Sequence, residues 1–267
     1  MSGRSLVLGQ FYPAKSPLHA LDPRVKLFLT LTLVISLFFI DNIAILISSA
    51  ILIPILAKVA KLPYRWILRG VRPLVFILSF TFLIHLFLTE GELFFRLGPL
   101  IATWDGLVKG IFYSSRLVLV ILFSSFITLT TSPVQLTDAI ESFFNPLKVF
   151  RFPAHEIALM MTIALRFIPT ILGEAETIMK AQKARGANFD SGNILKRARS
   201  FVPLLIPLFI SSFRRADELA LAMEARGYAG GEGRTRMRQL KIEPIDLAWL
   251  IIGLLVIFSI VGVSWWV

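Results

Sequence analysis

The chain has 267 residues, of which 56% are hydrophobic and 17% charged, and its mean hydropathy is +0.75. A soluble domain has roughly 25% charged residues, so this composition excludes an ordinary water-soluble protein, and the absence of cysteine excludes disulfides, thiolate metal sites and a cysteine nucleophile. The net charge of +11 accompanies 23 phenylalanines and long apolar runs, which indicates a multi-span membrane protein with basic cytoplasmic segments rather than a nucleic-acid-binding protein.

Five apolar runs with few or no charges predict five transmembrane helices and an all-α integral membrane protein. The runs cover residues 27–40, 43–59, 74–88, 107–130 and 247–267. Several are shorter than the ~20 residues of a perpendicular span, a mismatch that tilting or local bilayer thinning accommodates. The first run has a basic flank like a signal peptide, but Asp41 and Asn42 follow it instead of small cleavage-site residues, which favours a span.

The charges between these runs predict the orientation in the bilayer. The link between the second and third runs is basic and has no acid, with Lys58, Lys61, Arg65, Arg69 and Arg72. The first link contributes only an aspartate, and the third link is mainly acidic. The positive-inside tendency therefore predicts a cytoplasmic amino terminus and a carboxyl terminus outside.

The segment between the fourth and fifth spans is more polar, and we predict that it is cytoplasmic. The predicted organisation is therefore residues 1–131 for the amino-terminal segment with four spans, 132–245 for a module of long amphipathic helices, and 246–267 for the last span. Two apolar runs in this module, 157–172 and 201–213, are short and contain prolines. If both crossed the membrane, a basic segment would lie outside, against the charge rule.

Two long helices are predicted in this module instead, over residues 154–185 and from about 196 to 226. Their apolar residues recur with helical period, which indicates one apolar stripe on each helix. Each helix would be on the order of 45 Å long at 1.5 Å per residue. We expect both to begin buried in protein or in the interface and to emerge into the cytoplasm.

Both long helices are predicted to end in the same pattern, Ala-x-x-Ala-Arg-Gly. The two copies occupy residues 181–186 and 222–227. Either copy alone is explained as a helix cap, because glycine accepts the left-handed conformation and a cation faces the negative end of the helix dipole. A cap does not require the repeated alanines, however. Small residues beside a projecting guanidinium let another chain come close, so the duplication favours two tips that enter clefts of two similar partner subunits.

With three further segments, these tips resemble the transmembrane T component of energy-coupling factor (ECF) transporters, the ATP-driven importers of vitamins and of cobalt or nickel ions in prokaryotes. The further segments are Ser-Pro-Leu-His-Ala-Leu-Asp-Pro-Arg-Val-Lys at 16–26, Thr-Thr-Ser-Pro at 130–133 and Leu-Arg-Phe-Ile-Pro at 165–169. The resemblance extends over nearly the whole chain in the family's order.

The resemblance implies a non-catalytic coupling subunit in a prokaryotic cell membrane. Its partners would be two ABC-type ATPase subunits, which bind ATP and Mg²⁺, and an S component, the substrate-binding membrane subunit. ATP-driven closure of the ATPases would move the tips, and the long helices would transmit this movement to the S component for uptake of a vitamin or similar micronutrient. The residues that would dock in the ATPases are Ala184, Arg185, Gly186, Ala225, Arg226 and Gly227.

Other functions have weaker support in the sequence. The glycine-rich stretch at 227–234 lacks the Gly-Lys-Ser/Thr of a P-loop, so ATP hydrolysis would take place on another chain, and no cofactor or metal site is predicted. An intramembrane enzyme is disfavoured because His19, His85 and His155 stand apart and the sequence has no His-Glu-x-x-His or Gly-x-Ser-x-Gly motif. A cobalt or nickel version of the importer remains open, as does a self-sufficient secondary transporter.

A secondary transporter would need ionisable groups near mid-bilayer, and Arg116 in the fourth span is the candidate. Its shallow depth favours extension toward the interface, or pairing with Glu90 or Asp105, over an ion pathway.

Arg166 is a second cation with apolar neighbours. It is expected to need a partner, with Glu156 and Glu174 as the candidates. A structural ion pair is favoured over a direct role in coupling.

Overall fold

A computed structural model describes residues 11–97, 100–144, 153–187, 189, 193, 199–230 and 241–266. Most of these residues form helices, with a short β-hairpin in the third link. In chain order the elements are α1 (Pro17–Ala20), α2 (Pro23–Ser36), a 3₁₀ turn (Leu37–Phe39), α3 (Ile43–Ala50), α4 (Leu52–Ala60), α5 (Tyr64–Arg69), a second 3₁₀ turn (Arg72–Leu74), α6 (Val75–Leu88), β1 (Leu93–Leu97), β2 (Leu100–Thr103), α7 (Trp104–Thr130), α8 (Pro133–Phe144), α9 (Ala154–Ala184), α10 (Val202–Ala225) and α11 (Pro244–Trp266).

Within the described residues, five helical stretches are long and apolar enough to cross a membrane. They are Ile43–Ala60, Tyr64–Leu88, Trp104–Thr130, His155–Ala184 and Pro244–Ser264. The all-α class with five candidate spans is thereby confirmed, but the set differs at two places. The first predicted run forms α2 and a 3₁₀ turn over residues 23–39, which is not among these five stretches, so its crossing of the membrane stays a prediction. Helix α9 does have the length and composition of a span, so its predicted exit into the cytoplasm rests on charge and stays a prediction.

The described residues divide into two compact units. The first unit contains the described parts of 9–139 and 239–267, and the second contains those of 140–238. The predicted segment boundaries at 131/132 and 245/246 concern membrane topology and stay predictions.

The core of the first unit lies where α7 packs against α2, α3, α4 and α5. Its fully buried side chains include Leu37, Ile40, Leu46, Ile67 and Phe123. Because lipid chains are as apolar as these residues, close packing rather than the hydrophobic effect stabilises their contacts where they lie within the bilayer. Outward-facing apolar side chains are abundant on the same helices, as expected for a surface in contact with lipid.

Helix α6 packs closely against α7 because two glycines of α7 face it. A Cβ atom on Gly106 would lie 2.6 Å from the carbonyl oxygen of His85, and one on Gly110 would lie 3.1 Å from that of Phe82. This Gly-x-x-x-Gly spacing lets two membrane helices approach backbone to backbone. The ring of His85 stacks on Tyr113 at 4.5 Å between centroids, in agreement with a packing role for this histidine.

The segment at 16–26 contains two consecutive helix starts. Ser16 caps α1 by accepting a hydrogen bond from the amide of His19, and Asp22 caps α2 by accepting one from the amide of Arg24. A proline follows each cap at the first helical position, where its missing amide proton costs nothing. The repeated pattern of a polar cap followed by proline in this segment thus has a local structural cause.

In the second unit, α9 and α10 are the long helices that the sequence predicts. Helix α9 has 31 residues, or about 46 Å at 1.5 Å per residue. Helix α10 begins at Val202 instead of about residue 196, so its 24 residues extend only about 36 Å. Residues 194–198, where the earlier start was predicted, lie outside the described residues. Pro169 lies inside α9 and Pro207 inside α10.

Candidate functional site

The first tip consists of Ala184, Arg185 and Gly186 at the end of α9. Gly186 has φ +88°, the left-handed conformation that glycine adopts without strain. Its amide donates to the carbonyl of Lys183 at 3.0 Å, and the amide of Ala187 donates to that of Gln182 at 3.0 Å. These two bonds define a Schellman motif, which satisfies the last carbonyls of the helix.

The second tip consists of Ala225, Arg226 and Gly227 at the end of α10, and its backbone has the same geometry. Gly227 has φ +72°, its amide donates to the carbonyl of Glu224 at 2.9 Å, and the amide of Tyr228 donates to that of Met223 at 2.9 Å. The repeated sequence therefore produces a repeated structure.

The two arginines also match each other in conformation and exposure. Arg185 has φ −84° and ψ 8°, and Arg226 has φ −92° and ψ 9°. All six tip residues are exposed, and apart from each glycine and its two chain neighbours no described atom lies within 4 Å of the position that a Cβ would take on either glycine. Each tip thus presents a guanidinium flanked by small residues, with room for another chain.

Helices α9 and α10 are joined by one carboxylate. Glu174 of α9 accepts a hydrogen bond from the Ser211 hydroxyl at 2.5 Å through Oε1, and one from Arg215 Nη2 at 3.1 Å through Oε2. Ser211 and Arg215 lie four residues apart, on the same face of α10. The side chains of Glu174 and Arg215 are 27% and 36% exposed, so the pair borders water.

The structure corrects the expected partner of Arg166. Its side chain is exposed, and among the described residues no carboxylate lies within ion-pair distance of it. Glu174, one of the two candidates, binds α10 instead. The prediction failed because it assumed that an arginine with apolar neighbours in sequence is enclosed by protein.

Arg116 pairs with neither of the two acids that the sequence suggested as its partners. It is 8% exposed, its Nη2 donates to the carbonyl of Ile40, and its guanidinium lies 4.6 Å from the ring centroid of Phe112. The nearest carboxylate is that of Asp41, at 3.8 Å and 96% exposed, not that of Glu90 or Asp105. Arg116 therefore joins α7 to the turn between α2 and α3.

A polar cluster in the first unit connects the ends of several helices. Lys26 Nζ donates to the carbonyls of Thr130, at the end of α7, and of His19, at 3.2 and 3.5 Å. Asp246 Oδ1 accepts from the amide of Asp22 at 2.8 Å, and its Oδ2 accepts from that of Glu243 at 2.8 Å. One carboxylate thus binds the amides of the residues that immediately precede α2 and α11.

His19 belongs to the same region and is held as a neutral ring. Desolvation by burial lowers the pKa of His19 below 6.5, against the raising effect of its hydrogen bond to Tyr12, and the nearby Lys26 lowers it further. Its Nε2 donates to the Tyr12 carbonyl at 2.9 Å, and Nδ1, at 2.7 Å, accepts from the Ser16 hydroxyl.

Sequence reasoning missed Glu174, Ser211 and Arg215 as a group, although a signal was present. Arg215 follows Glu174 by 41 residues, the same offset that separates the two tip arginines. The missed pair therefore occupies equivalent positions of the repeat.

Comparison with known proteins agrees with these features. The family described as "Cobalt transport protein" (CbiQ) matches residues 14–237. The "Energy-coupling factor transporter transmembrane protein EcfT" of Thermosediminibacter oceani is 48% identical over 264 residues, covering 98% of this chain and 100% of that protein. The protein of the same name from Heliobacterium modesticaldum is 49% identical over 92% of each chain, and that from Bacillus subtilis is 45% identical over 88% of this chain and 89% of its own.

The fold and the paired tips define a multi-span membrane protein with two long helices that end in matched cationic caps. The chain belongs to the EcfT transmembrane proteins of ECF transporters, within the CbiQ family. It is accordingly a non-catalytic, multi-pass subunit that takes part in energy coupling for membrane transport.

Proposed function

We propose that this chain relays movement from two ABC-type ATPase subunits to an S component, and so drives substrate uptake. The observation that carries the proposal is the pair of exposed tips with the same Schellman geometry, at the ends of two helices joined by Glu174. Two equivalent tips on one chain suit two equivalent ATPase subunits.

Each tip arginine would form charge-assisted hydrogen bonds in a groove of one ATPase. The flanking alanine and glycine leave space for the groove's backbone, and a planar guanidinium gives a directional, bidentate contact. ATP and Mg²⁺ would bind the ATPase subunits. When these close, the tips would move together and α9 and α10 would carry the displacement toward the S component.

The substrate is proposed as a vitamin or a similar micronutrient. A cobalt or nickel version is the second candidate, and the description of the matching family, "Cobalt transport protein", favours it. In both versions substrate selection would lie in the S component, so the docking and relay proposed for this chain are the same.

The orientation proposed from charge places the amino terminus and both tips in the cytoplasm, with the carboxyl terminus outside. Because the chain has no cysteine, labelling of single introduced cysteines can determine the orientation without background from native residues. Cysteine at Lys180 or Leu221 should resist a membrane-impermeant maleimide in intact cells, whereas cysteine at Glu90 should react. Labelling of Lys180→Cys from outside would show instead that α9 crosses the membrane.

Reconstitution tests the function itself. Liposomes with the complete complex, expressed from neighbouring genes, should accumulate substrate only when ATP is supplied on the ATPase side. Liposomes with this chain alone should show no flux. Flux by the chain alone without ATP would contradict the proposal and favour a secondary transporter.

A further inference from the structure

We infer that Glu174, with Ser211 and Arg215, is a positioning group that holds the two long helices together and fixes the placement of one tip relative to the other. The inference rests on the proposed function, because it explains how two separate tips would move as a unit. Its basis, however, is geometry within the second unit alone.

The first step is the position of the ion pair between Glu174 and Arg215 within the repeat. Glu174 precedes Arg185 by 11 residues, and Arg215 precedes Arg226 by 11 residues. At 1.5 Å per residue, both tips lie about 16 Å along their helices from the pair. A connection at equivalent positions leaves the same length of helix between the contact and each tip.

The second step is the change from apolar to polar sequence that each helix shows at this ion pair. The apolar run of α9 ends at Leu172 and that of α10 at Phe213, so each partner lies two residues beyond the end of its run. On the other side, Pro169 and Pro207 interrupt the backbone hydrogen bonds of the apolar halves. The pair thus connects the helices where apolar, proline-containing halves change to polar halves that carry the tips.

The third step is the form of the contact. One carboxylate binds donors on successive turns of α10, through a different oxygen for each donor. Two bonds of this kind restrict both sliding and rotation of α10 against Glu174, which a single exposed ion pair would not do. An open cleft of about 640 Å³ borders the contact, lined in part by Pro207, Ile210 and Glu218, so few neighbouring side chains brace it.

The test measures the separation of the helices in the full-length chain. Spin labels on Lys180→Cys and Leu221→Cys occupy exposed, equivalent positions of the repeat, 41 residues apart. Pulsed electron-spin distance measurements in nanodiscs should give one narrow distribution for the otherwise unchanged chain. Glu174→Gln should broaden it several-fold, and the charge exchange Glu174→Arg with Arg215→Glu should narrow it again.

The matched control is Glu176→Gln, which removes the same charge two residues further along α9 from an exposed side chain. It should leave the distance distribution unchanged. In the assembled complex, Glu174→Gln should keep its ATPases and their ATP hydrolysis, while transport per ATP falls roughly fivefold or more. The control should transport normally.

An unchanged distribution in Glu174→Gln, or one that broadens equally in Glu176→Gln, would overturn the inference. So would normal transport per ATP in Glu174→Gln. Failure of the proposed docking is separable, because it would appear as retention of the ATPases by tip variants. The spin-label distances need no ATPase.

Discussion

The carboxylate of Asp246 accepts a 2.8 Å hydrogen bond from the amide of Asp22, a residue 224 positions earlier in the chain. Its second oxygen accepts from the amide of Glu243, so one side chain serves the amino-terminal ends of α2 and α11 together. Both amides would otherwise lack a helical partner, and a negative charge at two helix amino termini is favourable for both dipoles. The start of α11 is thereby tied to the start of α2.

Replacing Asp246 should destabilise the first unit. Asp246→Ala removes two charge-assisted hydrogen bonds from a side chain in a residue that is only 3% exposed, so the free energy of unfolding should fall by about 1.5–3 kcal/mol. Thermal unfolding in detergent measures the loss. Glu243→Gln is the control, because it changes a nearby charge but keeps the backbone donor. Equal effects of the two variants would show that the bridge contributes nothing.

Arg116 should prove structural. Arg116→Met removes its bond to the Ile40 carbonyl and its contact with the ring of Phe112, at a cost of about 2 kcal/mol in unfolding free energy. Asp41→Asn should cost less than about 0.5 kcal/mol, since that carboxylate is almost fully exposed. Lys109→Met, at an exposed site on the same helix, is the control for charge removal. Full stability of Arg116→Met together with lost transport would instead indicate an ion pathway.

His19 should make stability depend on pH. Because the pKa of His19 is lowered in the folded chain, the unfolded chain takes up the proton first as pH falls below 6.5. The contribution of His19 to the free energy of unfolding should therefore be constant above pH 6.5. It should decrease as the pH falls from 6.5 toward the pKa of His19 in the folded chain. Unfolding of the unchanged chain and of His19→Gln, measured from pH 8 to 5, isolates the effect. The same slope in both would assign the pH dependence to other groups.

Two glycines, Gly173 inside α9 and Gly186 just after its end, should respond to alanine in opposite directions. Gly186→Ala places a side chain at φ +88°, which should cost about 1 kcal/mol and distort the first tip. Gly173→Ala lies inside the helix with open space around it, so it should stabilise the helix by up to about 1 kcal/mol. Helix content on heating reports both changes. Destabilisation by Gly173→Ala would contradict the open surroundings seen there.

The features that the sequence predicted are those with a local signal. Apolar runs specified the helices, and the glycine after Arg185 specified a left-handed cap, as did the one after Arg226. Contacts between distant segments had no such signal. The two acids considered as partners of Arg116, Glu90 and Asp105, lie in the link that leads into α7, whereas the turn after α2 is the segment beside Arg116 in space.

The connection between the long helices was missed for a related reason. The tips were recognised as a repeat, but the offset of 41 residues was not extended upstream to Glu174 and Arg215. Extending it would have paired an acid with a base at equivalent positions. The predicted start of α10 at about residue 196 stays a prediction, because residues 194–198 lie outside the described residues.

Retention of the ATPases by tip variants tests the central claim most directly. Arg185→Ala with Arg226→Ala should leave the chain inserted and folded, but co-purification of both ATPase subunits and ATP-driven uptake should be lost. Lys180→Ala with Arg214→Ala, which removes two exposed cations from the same helices, should retain both. Full ATPase co-purification and normal uptake in the tip variant would contradict the assignment of the tips as docking sites.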